Sequence, residues 1–150
     1  MEDKTYIFDS REQKNQHIIK YFENHKIPYR IEKLDVGDYQ IEGHPNISVD
    51  RKQNLDELSR NLVNRKDSAR FWREVRRAFD QHVKLIILCE HGKGIESLQD
   101  VMNWHSEYCK IRGQTVVERA LLCNASYGVE FVFCNKRQTA KKIIELLNRC

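Results

Sequence analysis

Several features are scarce in this chain, and each scarcity closes off a class of protein. No run approaches the roughly 18 consecutive apolar residues of a membrane-spanning helix, and the charged start Met1–Lys4 is unlike a secretory leader. No membrane partner is expected. The expected location is the cytoplasm, at the nucleoid in a prokaryotic or phage setting. Proline occurs twice, at Pro28 and Pro45, both in apparent connections, and no repeat, low-complexity tract or linker interrupts the sequence. With 150 residues, 40% of them hydrophobic, the chain fits one domain over residues 1–150 with a continuous core. A Gly-rich phosphate loop and a Rossmann fingerprint are both missing, which counts against a small-molecule α/β domain. The five cysteines, Cys89, Cys109, Cys123, Cys134 and Cys150, include no Cys-x-x-Cys pair, so buried reduced thiols are expected rather than a disulfide framework. A zinc site would have to join Cys89 and His91 to His105 and Cys109. The second pair stands one helical turn apart, but no known ligand spacing couples it to the first.

Charge is modest in sum and uneven in place. The net charge is +4, yet Arg51–Arg77 alone holds nine Lys or Arg against four acids, while Met1–Asp50 holds seven bases and ten acids. An acidic half followed by a basic stretch is the distribution expected where a metal and a polyanion bind side by side.

Between those halves runs Val36-Gly37-Asp38-Tyr39, then Ile47-Ser48-Val49-Asp50-Arg51-Lys52. Alternation at period two aims Asp50 and Lys52 to one side of a strand and Val49 and Arg51 to the other. Two hard oxygen ligands and a cation on one surface can hold a divalent metal and stabilise a pentacoordinate phosphate. On these residues alone the plainer alternative stays open: a Gly-Asp turn beside a solvated strand edge, with Lys52 merely paired to Asp50.

The remaining pattern alternates strands and helices. Strands are expected at Thr5–Phe8, Tyr29–Leu34, Tyr39–Glu42 and Ile47–Lys52, the last three as a meander, and at Val83–Cys89, in the middle of the sheet, and Glu130–Cys134. Helices are expected near Gln13–His25, Leu55–Asn64 with Asn54 as cap, Ser68–Gln81, Ser97–Tyr108, Thr115–Tyr127 and Arg137–Asn148. The Ser68–Gln81 helix puts Phe71, Trp72, Val75, Ala78 and Phe79 on one face and Arg70, Arg73 and Arg77 on the other. That arginine row is either a solvated face or a phosphate contact, with only Glu74 nearby to neutralise it. A three-layer α/β domain with a mixed sheet follows.

Two further pieces, Asp9-Ser10-Arg11-Glu12 and Asp50-Arg51-Lys52 followed by Asp56-Glu57-Leu58, complete an ordered set with Val36-Gly37-Asp38-Tyr39. That set resembles the nuclease domain of the XPF, Mus and Hef structure-specific endonucleases, within the PD-(D/E)XK superfamily, most closely over Thr5–Glu90. The resemblance implies a restriction-endonuclease-like fold, a central mixed β-sheet flanked by helices. It also implies metal ligation by Asp38 and Asp50, with catalytic roles for Asp9 and Lys52. Arg11, Glu12, Arg51 and Asp56 fall on supporting positions of the pattern. Asp50 stands where the family usually has Glu, a side chain shorter by about 1.5 Å, which bears on metal preference. The family's tandem helix-hairpin-helix module has no counterpart in these residues, so specificity is expected from a homodimer, a protein partner or the basic helices.

The expected function is hydrolysis of phosphodiester bonds in branched or otherwise structured DNA, dependent on Mg²⁺ or Mn²⁺ held by Asp38, Asp50 and a backbone carbonyl near Arg51. Lys52 would orient or deprotonate the attacking water, or stabilise the phosphorane. Arg60, Arg65, Lys66, Arg70, Arg73 and Arg77 would hold the DNA backbone without reading bases. The alternative is a catalytically silent nuclease fold that binds DNA or scaffolds a partner, against which the intact acids and lysine argue.

Overall fold

A computed structural model describes residues 4–149. Cys150 and the start Met1–Asp3 lie outside the described residues. The chain order is β1 (Tyr6–Asp9), α1 (Gln16–Asn24), β2 (Tyr29–Glu32), β3 (Tyr39–Ile41), β4 (His44–Lys52), α2 (Leu55–Val63), α3 (Arg65–Asp80), β5 (Lys84–Cys89), α4 (Leu98–Val101), α5 (Gly113–Tyr127), β6 (Glu130–Phe133) and α6 (Thr139–Leu147). The six strands form one mixed sheet in the order β2-β1-β3-β4-β5-β6. Among the described residues no helix is long and apolar enough to cross a membrane.

Side-chain alternation along the strands gives the sheet two buried faces. One carries Ile87, Leu85 and Cys89 against Leu58 and Leu62 of α2, Phe71 and Val75 of α3, and Val116 and Ala120 of α5. The other carries Phe8, Tyr39, Val49 and Leu88 against Ile18 and Phe22 of α1 and Ile143 of α6. This is the three-layer α/β arrangement expected. β5 is buried on both faces from Leu85 to Cys89, as its continuous apolar run requires, but it stands fifth of six rather than in the middle.

The expected meander is only partly formed. β3 and β4 make an antiparallel hairpin, whereas β2 pairs parallel with β1 on the far side. The reason is reach: the six residues 33–38 can span up to ~20 Å, more than the ~10 Å between strands two places apart. α1 is therefore the crossover of a β-α-β unit, and β3 returns antiparallel to β1. β4 also begins earlier than Ile47, so that Pro45 lies within its exposed start rather than in a connection.

The helix expected over Ser97–Tyr108 is cut to one turn, Leu98–Val101, opened by a Ser97/Asp100 capping box. Beyond it, Ser106 Oγ accepts the backbone N–H groups of Tyr108 and Cys109 at 3.1 and 3.2 Å. Such local side-chain bonds offer the backbone an alternative to the helix ladder. α3 begins at Arg65 instead of Ser68 because Asn64 caps it, accepting the N–H groups of Lys66 and Asp67. Asn54 caps α2 as expected, accepting the Glu57 N–H at 2.8 Å. Phe79, expected on the buried face of α3, is half exposed and lies edge-on to Tyr127.

Candidate active site

Asp38 is delivered by a turn that only glycine can make. Gly37 has φ +73°, and a Cβ there would lie 2.1 Å from Ser48 Oγ. The turn is held by Ser48 Oγ, which donates to the Val36 carbonyl at 2.6 Å. Asp38 then joins two strands, its N–H donating to Val49 O at 2.8 Å and its carbonyl accepting from Asp9 N at 2.7 Å. Its carboxylate accepts the Arg51 N–H at 2.9 Å.

Asp50 and Lys52 leave β4 toward α3, as period two requires. Lys52 Nζ lies 3.2 Å from Asp50 Oδ2 and 5.5 Å from the Phe71 ring centroid. Burial works against the Lys52 charge, but Asp50, Glu57, Asp38 and Glu74 together outweigh it and raise its pKa. Asp50 shares side-chain hydrogen bonds with the carboxyls of Asp38 and Glu74. Burial disfavours its ionisation, yet Lys52 and these hydrogen bonds prevail and its pKa falls. The neighbours give way: Asp38 is raised well above the ordinary carboxylate range by burial and then by the Asp50 charge. Glu74 is pushed up to about 8 by the same two causes in the same order.

Glu74 is the site residue that the sequence pattern does not reveal. The pattern makes it a neutraliser of the arginine row, whereas in the fold it turns inward to Asp50. The available signal is its place on the stripe between Arg70 and Arg77, where a lone acid breaks a run of bases.

The opposite side of β4 holds a buried ion network. Arg51 is 1% exposed at its side chain and reaches Glu12 at 2.7 Å and Glu90 at 3.3 Å. Its Nη2 donates to the Gln13 carbonyl at 2.7 Å. Glu12 also accepts from the Tyr39 hydroxyl at 2.6 Å, and Glu90 accepts from Thr139 Oγ1 at 2.5 Å and meets His17 Nε2 at 2.7 Å. Arg51 and Glu12 thus brace the β1–α1 connection against β4. The Asp9 carboxylate accepts from Arg11 Nε at 3.0 Å and Leu34 N at 2.8 Å, tying the end of β1 to the segment before Gly37. Arg11 is largely exposed and lies near enough to Asp38 and Glu74 to feel their charge. Asp56 stands apart from the carboxylate row and accepts from Ser106 Oγ at 2.6 Å.

Arg60, Arg65, Lys66, Arg70, Arg73 and Arg77 are all exposed. α3 places Phe71 over Lys52 and Glu74 against Asp50, so Arg70 and Arg77 flank the carboxylate row along the same helix stripe. Arg77 Nη1 also donates to the Asp35 carbonyl at 3.1 Å, fastening α3 to the loop that presents Asp38.

The donor set suits a hard divalent cation. Buried carboxyls beside an ionised Asp50, whose charge raises the pKa of Asp38 and Glu74, are groups whose repulsion such an ion relieves. Among the described residues no three His, Cys, Asp or Glu side chains form a ready-made cage. A site at Asp38 and Asp50 would be completed by backbone carbonyl and water, the usual manner for Mg²⁺. The zinc grouping is not made: Cys89 is buried in the core, and His91 Nδ1 accepts the Leu55 N–H at 3.0 Å. Cys89, Cys123 and Cys134 are buried free thiols as expected, while Cys109 is exposed.

A mixed sheet that brings Asp38, Asp50 and Lys52 together at the ends of β3 and β4 defines a restriction-endonuclease-like fold. Within that class the chain belongs to the ERCC4 domain family, whose model matches residues 8–147. This is the nuclease-domain family of structure-specific DNA endonucleases that its motifs resemble. The structure of XPF from Aeropyrum pernix is similar, at 17% identity and a TM-score of 0.71, over 95% of this chain and 63% of that one. A structure of XPF from Aeropyrum pernix in complex with DNA matches at 16% identity and a TM-score of 0.72, over 96% of this chain and 63% of that one. The chain thus spans less than two thirds of the solved relatives. No curated protein matches it.

Proposed function

We propose that residues 1–150 act as one nuclease domain, a Mg²⁺- or Mn²⁺-dependent endodeoxyribonuclease that cuts branched or otherwise structured DNA. The observation that carries this reading is the meeting of Asp38 and Asp50 beside Lys52, with the arginines of α3 along the same rim. Asp38 and Asp50, with the carbonyl near Arg51, would hold the ion. The bound ion supplies positive charge that offsets the charge developing on the phosphate. Lys52 donates hydrogen bonds as an ammonium and lies where a phosphate oxygen or the attacking water would need a cation. Water oxygen attacks phosphorus and gives up a proton to solvent, while the bond to the leaving sugar oxygen breaks and that oxygen takes up a proton from solvent to leave as a hydroxyl. Asp9, Arg11, Glu12 and Arg51 position the two carboxylates. Arg60, Arg65, Lys66, Arg70, Arg73 and Arg77 hold the backbone, consistent with a fold relative described in complex with DNA. The shorter Asp50, in place of the family's usual Glu, bears on the balance between Mg²⁺ and Mn²⁺.

The test is cleavage of flap, fork, splayed-arm and plain duplex DNA in Mg²⁺ or Mn²⁺, against a chelator control. Cuts at or near the branch that vanish with the chelator are expected. Binding without cleavage in either metal would favour the silent nuclease fold, and equal cutting of plain duplex would remove the structural preference.

A further inference from the structure

A cleft opens two residues beyond Lys52 that has no part in the chemistry above. It encloses about 470 Å³ between Asn54 at the start of α2, the segment after β5 and the loop after α4. Its walls are rich in rings. Trp104, His105 and Tyr108 come from the loop, and His91 stands edge-on to Trp104 at 6.3 Å. Tyr108 is 81% exposed, a large ring presented to solvent.

The loop is built rather than slack. Ser106 is held by Asp56 and in turn holds Tyr108 and Cys109. Gly113 donates to the Trp104 carbonyl at 2.7 Å, at a position where a Cβ would lie 1.8 Å from the Val101 carbonyl oxygen. The His91 ring is oriented by the Leu55 N–H at its Nδ1, which leaves Nε2 to carry the donor hydrogen.

Charge decides what such a cleft can take. Asp56 and Glu107 set two carboxylates against the one ammonium of Lys93. That is a poor bed for a phosphate backbone, but it suits the amino and imino groups of a base. Aromatic walls supply the stacking that any base accepts. We infer that this cleft is a subsite for an unpaired nucleobase of a DNA strand, stacked on Trp104 and Tyr108 with Lys93 toward the flanking phosphate. The inference rests on the nuclease reading and supplies it with a reason to prefer branched DNA, which offers unpaired nucleotides where a plain duplex offers none.

Trp72→Phe leaves Trp104 as the single indole, a reporter inside the cleft. With Ca²⁺ in place of Mg²⁺ to hold back cleavage, an oligothymidylate should change its fluorescence, while an abasic strand of the same length and a blunt duplex should not. In otherwise unaltered protein, Tyr108→Ala should weaken binding of the oligothymidylate and of forked DNA about 10-fold and leave blunt-duplex binding unchanged. Equal affinity for intact and abasic strands, or strand affinity indifferent to Tyr108→Ala, overturns the subsite. An equal response to thymidine monophosphate overturns the strand as its source. Should forks still be cut metal-dependently alongside those negatives, the subsite alone falls; should strands bind through Tyr108 with no DNA cut, the nuclease reading alone falls.

Discussion

Asp38 and Glu74 both press their carboxyls against Asp50, and in both burial joins the Asp50 charge in holding on to the proton. An acid whose folded pKa stands above its unfolded one stabilises the fold below the unfolded value and withdraws that stability as pH rises toward the folded value. For Glu74 that window runs from 4.5 to about 8. Metal-free protein should therefore lose up to about 5 kcal/mol of stability across it. Urea melts at several pH values should show Glu74→Gln with a flatter loss than wild type, and added Mg²⁺ should flatten it as well. Parallel profiles for the two proteins would mean that Glu74 ionises normally. Gly37 acts through the backbone instead. Its φ of +73°, and Ser48 Oγ only 2.1 Å from where a Cβ would stand, leave no room for a side chain. Gly37→Ala should cost about 1–3 kcal/mol and displace Asp38, lowering cleavage along with stability. An unchanged urea midpoint would contradict the strain.

At the scale of elements, the proposed function makes α3 the link between chemistry and binding. One stripe carries Glu74 into the carboxylate row while Arg70 and Arg77 flank it, and Arg73 lies one turn from Arg77. Arg70→Ala and Arg73→Ala should each weaken duplex binding without regard to sequence and lower the slope of log K against log salt by about 1. An unaltered slope in both would leave the row a solvated face. The helical period makes this row readable in sequence, but not the inward turn of Glu74, because charge type alone does not say which face a helix buries. β4 is legible for the same reason of period: Asp50 and Lys52 go to one side, Val49 and Arg51 to the other. The place of β2 is not, since pairing partners depend on how far a connection reaches and not on the strand's own residues. The helix expected to Tyr108 stops short because Ser106 bonds locally to its own loop and to Asp56, a contact 50 residues away in sequence.

At the scale of the whole molecule, the sheet brings together what the chain keeps apart. Asp9 ends β1, Asp38 immediately precedes β3 and Asp50 lies near the end of β4, three strands that are neighbours in the sheet. The ordered motifs reveal that set without coordinates. What the motifs leave open is the division of labour. Asp9 is held by Arg11 and Leu34, Arg51 is buried among Glu12 and Glu90, and Asp56 holds a loop, and in the proposed function Asp38, Asp50 and Lys52 are the groups that act on phosphate. Their role is tested most directly by single-turnover cleavage of a forked DNA in Mg²⁺, comparing wild type with Asp38→Asn, Asp50→Asn and Lys52→Ala, each checked for folding and fork affinity. Each substitution should slow cleavage by at least about 100-fold while leaving affinity within a few-fold of wild type. Undiminished cleavage in folded Asp38→Asn and Lys52→Ala would contradict the assignment of this centre.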